Sequence, residues 1–187
     1  MSRRLPLYVE VDRAIDAFAG ATGLACPTGC GHCCETQTPF VRVDDMAAIA
    51  AARVARDLDD AAALRERAAA VGADGPCVLF QPGRLPGGCT EYALRPMLCR
   101  LFGFAAVRDK HGAPALALCK VHGQATPAVA AAAVAFVAGG GPVPMFAEWQ
   151  AESDAVSDDP DARQVPINVA LAAALDRALL RAQFGAD

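Results

Sequence analysis

A chain of 187 residues suits one domain, or one domain with a small appendage. Its apolar share of 54% supplies a core, but much of that share is alanine and only 6% of the chain is aromatic. Burial at about 25 cal/mol per Å² then contributes little per residue, and such a core gains from a cross-link. The formal charge of −4, with Lys and Arg scattered rather than striped, argues against nucleic-acid binding by phosphate neutralisation.

Arg3 and Arg4 precede an apolar run that stops at Glu10 and Asp12, too short for an export signal, so a cytoplasmic, reducing location is expected. Residues 7–18 carry Val11, Ile15 and Phe18 at helical spacing, and glycines at 20 and 23 end that helix. Residues 26–34 form a loop dense in Cys and Gly, and 40–43 a short extended segment. Asp44 or Asp45 is expected to cap a helix, since a carboxylate accepts the open first-turn amides and faces the positive end of the dipole. This helix runs through Met46, Ile49, Val54, Leu58 and Leu64 to Val71, with a kink near Asp59 and Asp60 and a stop at Gly72.

Residues 74–88 are rich in Gly and Pro and read as loop, and 91–101 as a helical turn or two with Pro96 placed early. Segments 102–107 and 115–118 are expected to pair as a hairpin around the turn at 109–112. Three further helices are expected at 127–138, 144–155 and 167–184, the last two linked by the acidic segment 153–161. Within that segment Asp158, Asp159 and Asp161 read as solvated linker. Residues 121–147 contain no formally charged side chain, but the break at 139–144 leaves a buried helix rather than a membrane span. The fold expected is mainly α: an irregular, metal-stapled, cysteine-rich centre with a short β-hairpin, flanked by helices. Residues 1–125 form the cysteine-cluster domain, and 126–187 a C-terminal helical extension packed on it.

The eight cysteines carry the chemistry. Cys26, Cys30, Cys33 and Cys34 form C-x3-C-x2-C-C; Cys77, Cys89, Cys99 and Cys119 follow, and none lies in the last third. All sit on the parts least able to build an apolar core, the pattern expected where coordination replaces burial. A reducing compartment argues against a disulfide framework, and four cysteines within nine residues argue against core filler. Thiolate ligands select zinc, Fe–S clusters or copper(I) over magnesium or calcium. Arg95, Arg100 and Lys120 stand beside cysteines, where they can offset surplus thiolate charge. Cys33 and Cys34 are adjacent, and neighbouring side chains that point apart serve two ions more easily than one. Two four-cysteine sites and one polynuclear site are both open. His122 makes C-x2-H with Cys119 and could substitute as a ligand, whereas His32 and His111 read as solvated turn residues.

The C-x3-C-x2-C-C cluster, the Cys77-Val78-Leu79-Phe80 stretch and CTEYALRPMLCRLF at 89–102 together resemble the bacterial YkgJ-type cysteine-cluster family. That family is described as a zinc- or iron-chelating domain with eight characteristic cysteines. The similarity covers about residues 26–119, and its most distinctive part is Tyr-x2-Arg-Pro-x2-Cys-Arg. It implies that Cys26, Cys30, Cys33, Cys34, Cys77, Cys89, Cys99 and Cys119 are metal ligands. The chain departs from the pattern at Val78, where proline is usual, and in the long loop before Cys89. Tyr92, Arg95 and Arg100 read either as donors to ligand sulfurs or as ties between loop carbonyls.

Two classes of function follow. In the first the chain binds zinc or iron, mononuclear or as an Fe–S cluster, and its partners are metal ions, with no nucleic acid and no membrane. In the second it is an Fe–S enzyme acting with S-adenosylmethionine, because C-x3-C-x2-C is also the radical-SAM cluster spacing. Against the second stand Cys34, which is out of place in that motif, and the lack of an alternating strand–helix pattern.

Overall fold

The computed structural model describes residues 4–36, 38–157 and 163–185. Helix α1 (Arg4–Thr22) buries Leu7, Tyr8, Val11 and Phe18 on one face. It outruns the apolar spacing of 7–18 at both ends, and at its C-terminus Thr22 Oγ1 donates to Phe18 O and Gly23 N to Ala19 O. A short helix, α2 (His32–Thr36), lies inside the cysteine stretch expected to be loop. It starts because Cys34 N and Glu35 N both donate to Gly31 O, at 2.8 and 3.1 Å. Strand β1 (Phe40–Val41) is extended, as its alternation predicts.

A 3-10 turn (Val43–Met46) leads into α3 (Ala47–Arg56), and α4 (Leu58–Val71) follows. The cap position belongs to Arg42 rather than Asp44 or Asp45; Asp45 reaches back from the third position, its Oδ2 accepting from Arg42 N at 2.8 Å. The single helix expected over 44–71 is therefore several segments, and the break falls at Asp57, before Asp59 and Asp60. Asp57 is extended, and its carboxylate accepts the amides of Asp59 and Asp60 at 2.8 and 3.0 Å, so the same residue ends one helix and caps the next.

A second 3-10 turn (Tyr92–Leu94) precedes α5 (Met97–Leu101), and Pro96 between them holds Arg95 in an extended conformation. Strands β2 (Ala106–Arg108) and β3 (Pro114–Leu116) form the expected antiparallel hairpin, but the first strand starts at 106 rather than 102, because the amides of Phe102, Phe104 and Ala105 are taken by Leu98 O and Leu101 O at the end of α5. Asp109 Oδ1 ties its turn by accepting from His111 N and Ala113 N. After α6 (Lys120–Ala125) and α7 (Pro127–Ala138), helix α8 (Phe146–Ala155) starts two residues later than composition suggests. Pro144 O is committed to Ala106 N at 2.8 Å, which keeps that segment outside the helix. Strand β4 (Val165–Pro166) pairs antiparallel with β1, and α9 (Ile167–Phe184) closes the chain. The acidic residues Asp158, Asp159 and Asp161 lie outside the described residues. No described helix is long and apolar enough to cross a membrane.

The architecture is mainly α, and the chain packs as two units that interleave in sequence. The first comprises the described parts of Gly29–Pro96 and Ser157–Asp187. Here α9 packs along α3 and α4, burying Ile49, Leu64, Ile167, Leu171 and Leu175 among Ala50, Ala61, Ala68, Ala170 and Ala174. The alanines let helices approach closely, and each fully buried leucine or isoleucine contributes about 1.5–3 kcal/mol. The second comprises the described parts of Arg3–Thr28 and Met97–Val156. It has one cluster of Leu7, Tyr8, Val11, Met97, Leu101 and Ala105, and another of Phe18, Leu24, Ala106, Ala133, Val137 and Met145.

Candidate metal centre

In the first unit the backbone gathers cysteines from three points of the chain. Cys77 N donates to Cys34 O at 3.0 Å, which ties the second half of the cluster to the loop after α4. Phe80 and Cys89 form an antiparallel bridge, flanked by Thr90 N to Leu79 O and Gln81 N to Gly88 O, so Cys89 runs back alongside Cys77. Two glycines make this possible. A Cβ on Gly31 would stand 2.2 Å from Phe80 Cε2, and one on Gly88, where φ is +65°, 2.8 Å from Gly31 Cα. A side chain at Gly88 would push the turn carrying Cys30, Cys33 and Cys34 off the segment carrying Cys89, and one at Gly31 would displace the Phe80 ring.

The sulfurs fall into distinct environments. Cys33 and Cys34 Sγ lie 4.0 Å apart. Adjacent side chains are expected to point apart, but in the first turn of α2 these two sulfurs stay close. Two thiolates at about 2.3 Å from one tetrahedral zinc are separated by about 3.8 Å, so this pair fits a single ion. The Cys34 thiol holds the Cys33 thiol down, to a pKa of about 6; burial opposes that shift and the positive charge of Arg95 assists it. Burial pushes Cys77 up to about 11, and the negative charges of Cys89 and Cys33 push the same way. Burial also raises Cys89, against the pull of Arg95. Cys77 and Cys89 are buried, while Cys30, Cys33 and Cys34 are half-buried. Buried sulfurs that would repel one another as thiolates suit a soft or borderline cation, which reverses both penalties.

Arg95 is anchored by Tyr92: its guanidinium stacks on the ring, and Nε donates to Tyr92 O. Glu91, next but one to Cys89, is buried and takes Arg53 Nε at 2.6 Å and Arg56 Nη1 at 3.2 Å. Asn168 on α9 is wholly buried; its Oδ1 accepts from Val78 N at 3.0 Å and its Nδ2 donates to Pro76 O at 3.0 Å. It thereby grips the residues on either side of Cys77. No spacing in the sequence points to Asn168 or Glu91, because each acts on a cysteine loop through a tertiary contact.

Cys26, Cys99 and Cys119 belong to the second unit. There Cys26 Sγ lies 3.3 Å from Nε2 of His122, which is 1% exposed. Cys119 sits at the N-cap of α6, three residues before His122 on the same short helix. Gly103, with φ +82°, passes so close that a Cβ there would stand 3.0 Å from both Cys119 Cβ and His122 Cε1. Arg100, beside Cys99, is paired with Asp12 and lies over the Tyr8 ring, 4.3 Å from its centroid. His111 is exposed in the hairpin turn, as expected, and His32 is half-buried in α2.

None of the eight cysteines is in a disulfide. Among the described residues no three His, Cys, Asp or Glu side chains already converge at metal-holding distance, so the donors are gathered as neighbourhoods and pairs. No curated protein and no solved structure matches the chain. A family model labelled CxxCxxCC, described as "Putative zinc- or iron-chelating domain", matches residues 25–127, a span containing all eight cysteines. That description supports a metal ion as this protein's partner. With more than half its length inside the match, the chain belongs to the CxxCxxCC family of zinc- or iron-chelating domains.

Proposed function

We propose that the protein is a cytoplasmic metal chelator in which zinc or iron, held by cysteine thiolates, also cross-links an alanine-rich fold. The observation that carries this reading is the backbone pairing that ties Cys34 to Cys77 and sets Cys89 opposite Phe80, three residues on from Cys77. Cys33, Cys34, Cys77 and Cys89 are the residues that would hold the ion in the first unit, with Cys30 at the mouth of the same turn. Cys26, Cys99 and Cys119 are the donors of the second. The metal would supply positive charge to thiolates that otherwise repel one another, and binding free energy would become folding free energy. Arg95, fixed on Tyr92, offsets the surplus negative charge of a four-thiolate site, whereas Arg100 in the second unit is matched by Asp12.

The alternative of an Fe–S enzyme using S-adenosylmethionine draws less support. The named strands of the described residues pair as two two-stranded antiparallel sheets, which do not make the partial parallel barrel of such enzymes.

Anaerobic purification followed by elemental analysis and a visible spectrum tests the proposal. A stoichiometric content of zinc or iron is expected, colourless for zinc and brown for Fe–S. Cys30→Ser and Cys99→Ser should each lower metal content and solubility together. A monomeric, folded, metal-free protein with eight titratable thiols would overturn the reading.

A further inference from the structure

We infer that His122 is itself a metal ligand, completing with Cys26, Cys99 and Cys119 a mixed imidazole–thiolate site for Zn²⁺ inside the second unit. This rests on the chelating role proposed above and goes beyond it, since the family description names neither a histidine nor a separate mixed site.

Four observations carry it. Cys26 Sγ and His122 Nε2 are 3.3 Å apart, although 96 residues separate them in sequence. A sulfur at about 2.3 Å and an imidazole nitrogen at about 2.0–2.1 Å from one tetrahedral zinc stand about 3.5 Å apart, so the pair already has the spacing of two ligands on one ion. The ring is almost fully buried, its face set by an edge contact with Phe104 at 5.2 Å between centroids. Its other nitrogen, Nδ1, is buried against the Gly103 backbone and makes no hydrogen bond of normal geometry. With Nδ1 buried in the protein and Nε2 beside the Cys26 sulfur, Nε2 is the nitrogen placed to meet an ion. Finally, the Gly103 backbone packs closely against both Cys119 and His122, and Cys99 lies four residues before it, in the middle of α5.

Charge points the same way. Four thiolates on Zn²⁺ leave two surplus negative charges, whereas three thiolates and a neutral imidazole leave one. The first unit has Arg95 directed at its thiolates; in the second, Arg100 is already matched by Asp12. A neutral fourth donor leaves less surplus charge for Lys120, beside Cys119, to offset.

Zinc K-edge X-ray absorption on the zinc-loaded, full-length protein reads this directly. Nitrogen in the first shell, with the outer-shell scattering of an imidazole ring, is expected. In parallel, the long-range ¹H–¹⁵N spectrum should show the Nδ1-protonated tautomer of His122 with a metal-shifted Nε2. His122→Gln should weaken zinc binding by at least the roughly 10–100-fold seen when an outer-sphere partner is lost. His122→Cys should recover the affinity with one more sulfur in the shell, a rescue that a merely packed histidine would not allow. A sulfur-only shell in the unaltered protein, or a His122 resonance indifferent to zinc, overturns this inference and leaves chelation by cysteine standing. A protein that takes up no zinc or iron at all overturns both.

Discussion

The guanidinium carbon of Arg95 lies 3.4 Å from the centroid of the Tyr92 ring, and the same side chain donates to Tyr92 O at 2.9 Å. That double hold aims a fixed positive charge at Cys33 and Cys89. Arg95→Ala should raise the pKa of Cys33 and slow its alkylation in metal-free protein at neutral pH. Arg95→Lys should recover the charge but not the stacked geometry, and so restore the rate only in part. Site-resolved mass spectrometry of the alkylated peptides gives the answer; equal Cys33 rates in all three proteins would refute the link.

The opposite shifts of Cys33 and Cys77 set a pH dependence. Cys33 is held below its ordinary value of 9.0, at about 6, so the stability it contributes is complete above about pH 9 and lost as pH falls through about 6. Cys77 is raised to about 11, so its contribution is complete below about pH 9 and lost as pH rises through about 11. Denaturant unfolding of chelator-treated protein should therefore show Cys33→Ser flattening the acidic side alone. Bound metal should suppress the acidic loss until protons compete for the thiolates, a shift visible in the same titration.

Glu91 is buried between two arginines, and Arg53, itself largely buried, also reaches Thr90 Oγ1 and Asp60 Oδ2. Removing one partner of a buried pair leaves the other charge uncompensated, a loss of about 3–5 kcal/mol. Glu91→Ala should fall at the lower end of that range, because Arg53 keeps Asp60. Thermal unfolding measures it. The same variant should lose metal faster, since Glu91 and Thr90 hold the segment that carries Cys89.

Asn168→Ala removes the acceptor of Val78 N and leaves that amide short of a partner, at a cost of about 1–3 kcal/mol. Its second effect is more diagnostic: exchange protection at Val78 and metal retention should fall together, because the Cys77 loop is no longer gripped from α9. Loss of stability with unchanged metal off-rate would mean that Asn168 supports only the helix packing.

Gly103→Ala meets two obstacles, a positive φ and the crowding of Cys119 and His122. The backbone strain alone is of order 1–3 kcal/mol. Metal held by the second unit should be released preferentially, while Cys33 and Cys34 stay protected from alkylation by metal in the first.

Much of this was legible in the chain itself. The alanine-rich helices at 127–138 and 167–184 stand where apolar periodicity and the flanking Pro and Gly put them, because local spacing decides them. The eight cysteines and the CTEYALRPMLCRLF stretch are covalent facts, and they sufficed to identify the family and its kind of chemistry. Capping was less legible. Composition points to a cap at Asp44 or Asp45 and a kink near Asp59 and Asp60, and only backbone geometry chose Asp57 as the point where one helix stops and the next begins.

What only the tertiary structure decided is which of these side chains come near one another. Cys26 and Cys30 are four residues apart, yet one falls in the unit with His122 and the other in the unit with Cys77 and Cys89. Asn168 reaches back 90 residues to Val78. Residue types carry affinity for a metal wherever they lie, so composition reveals them. Their grouping depends on long-range backbone pairing and on gaps that only glycine can leave, and neither has a local signature.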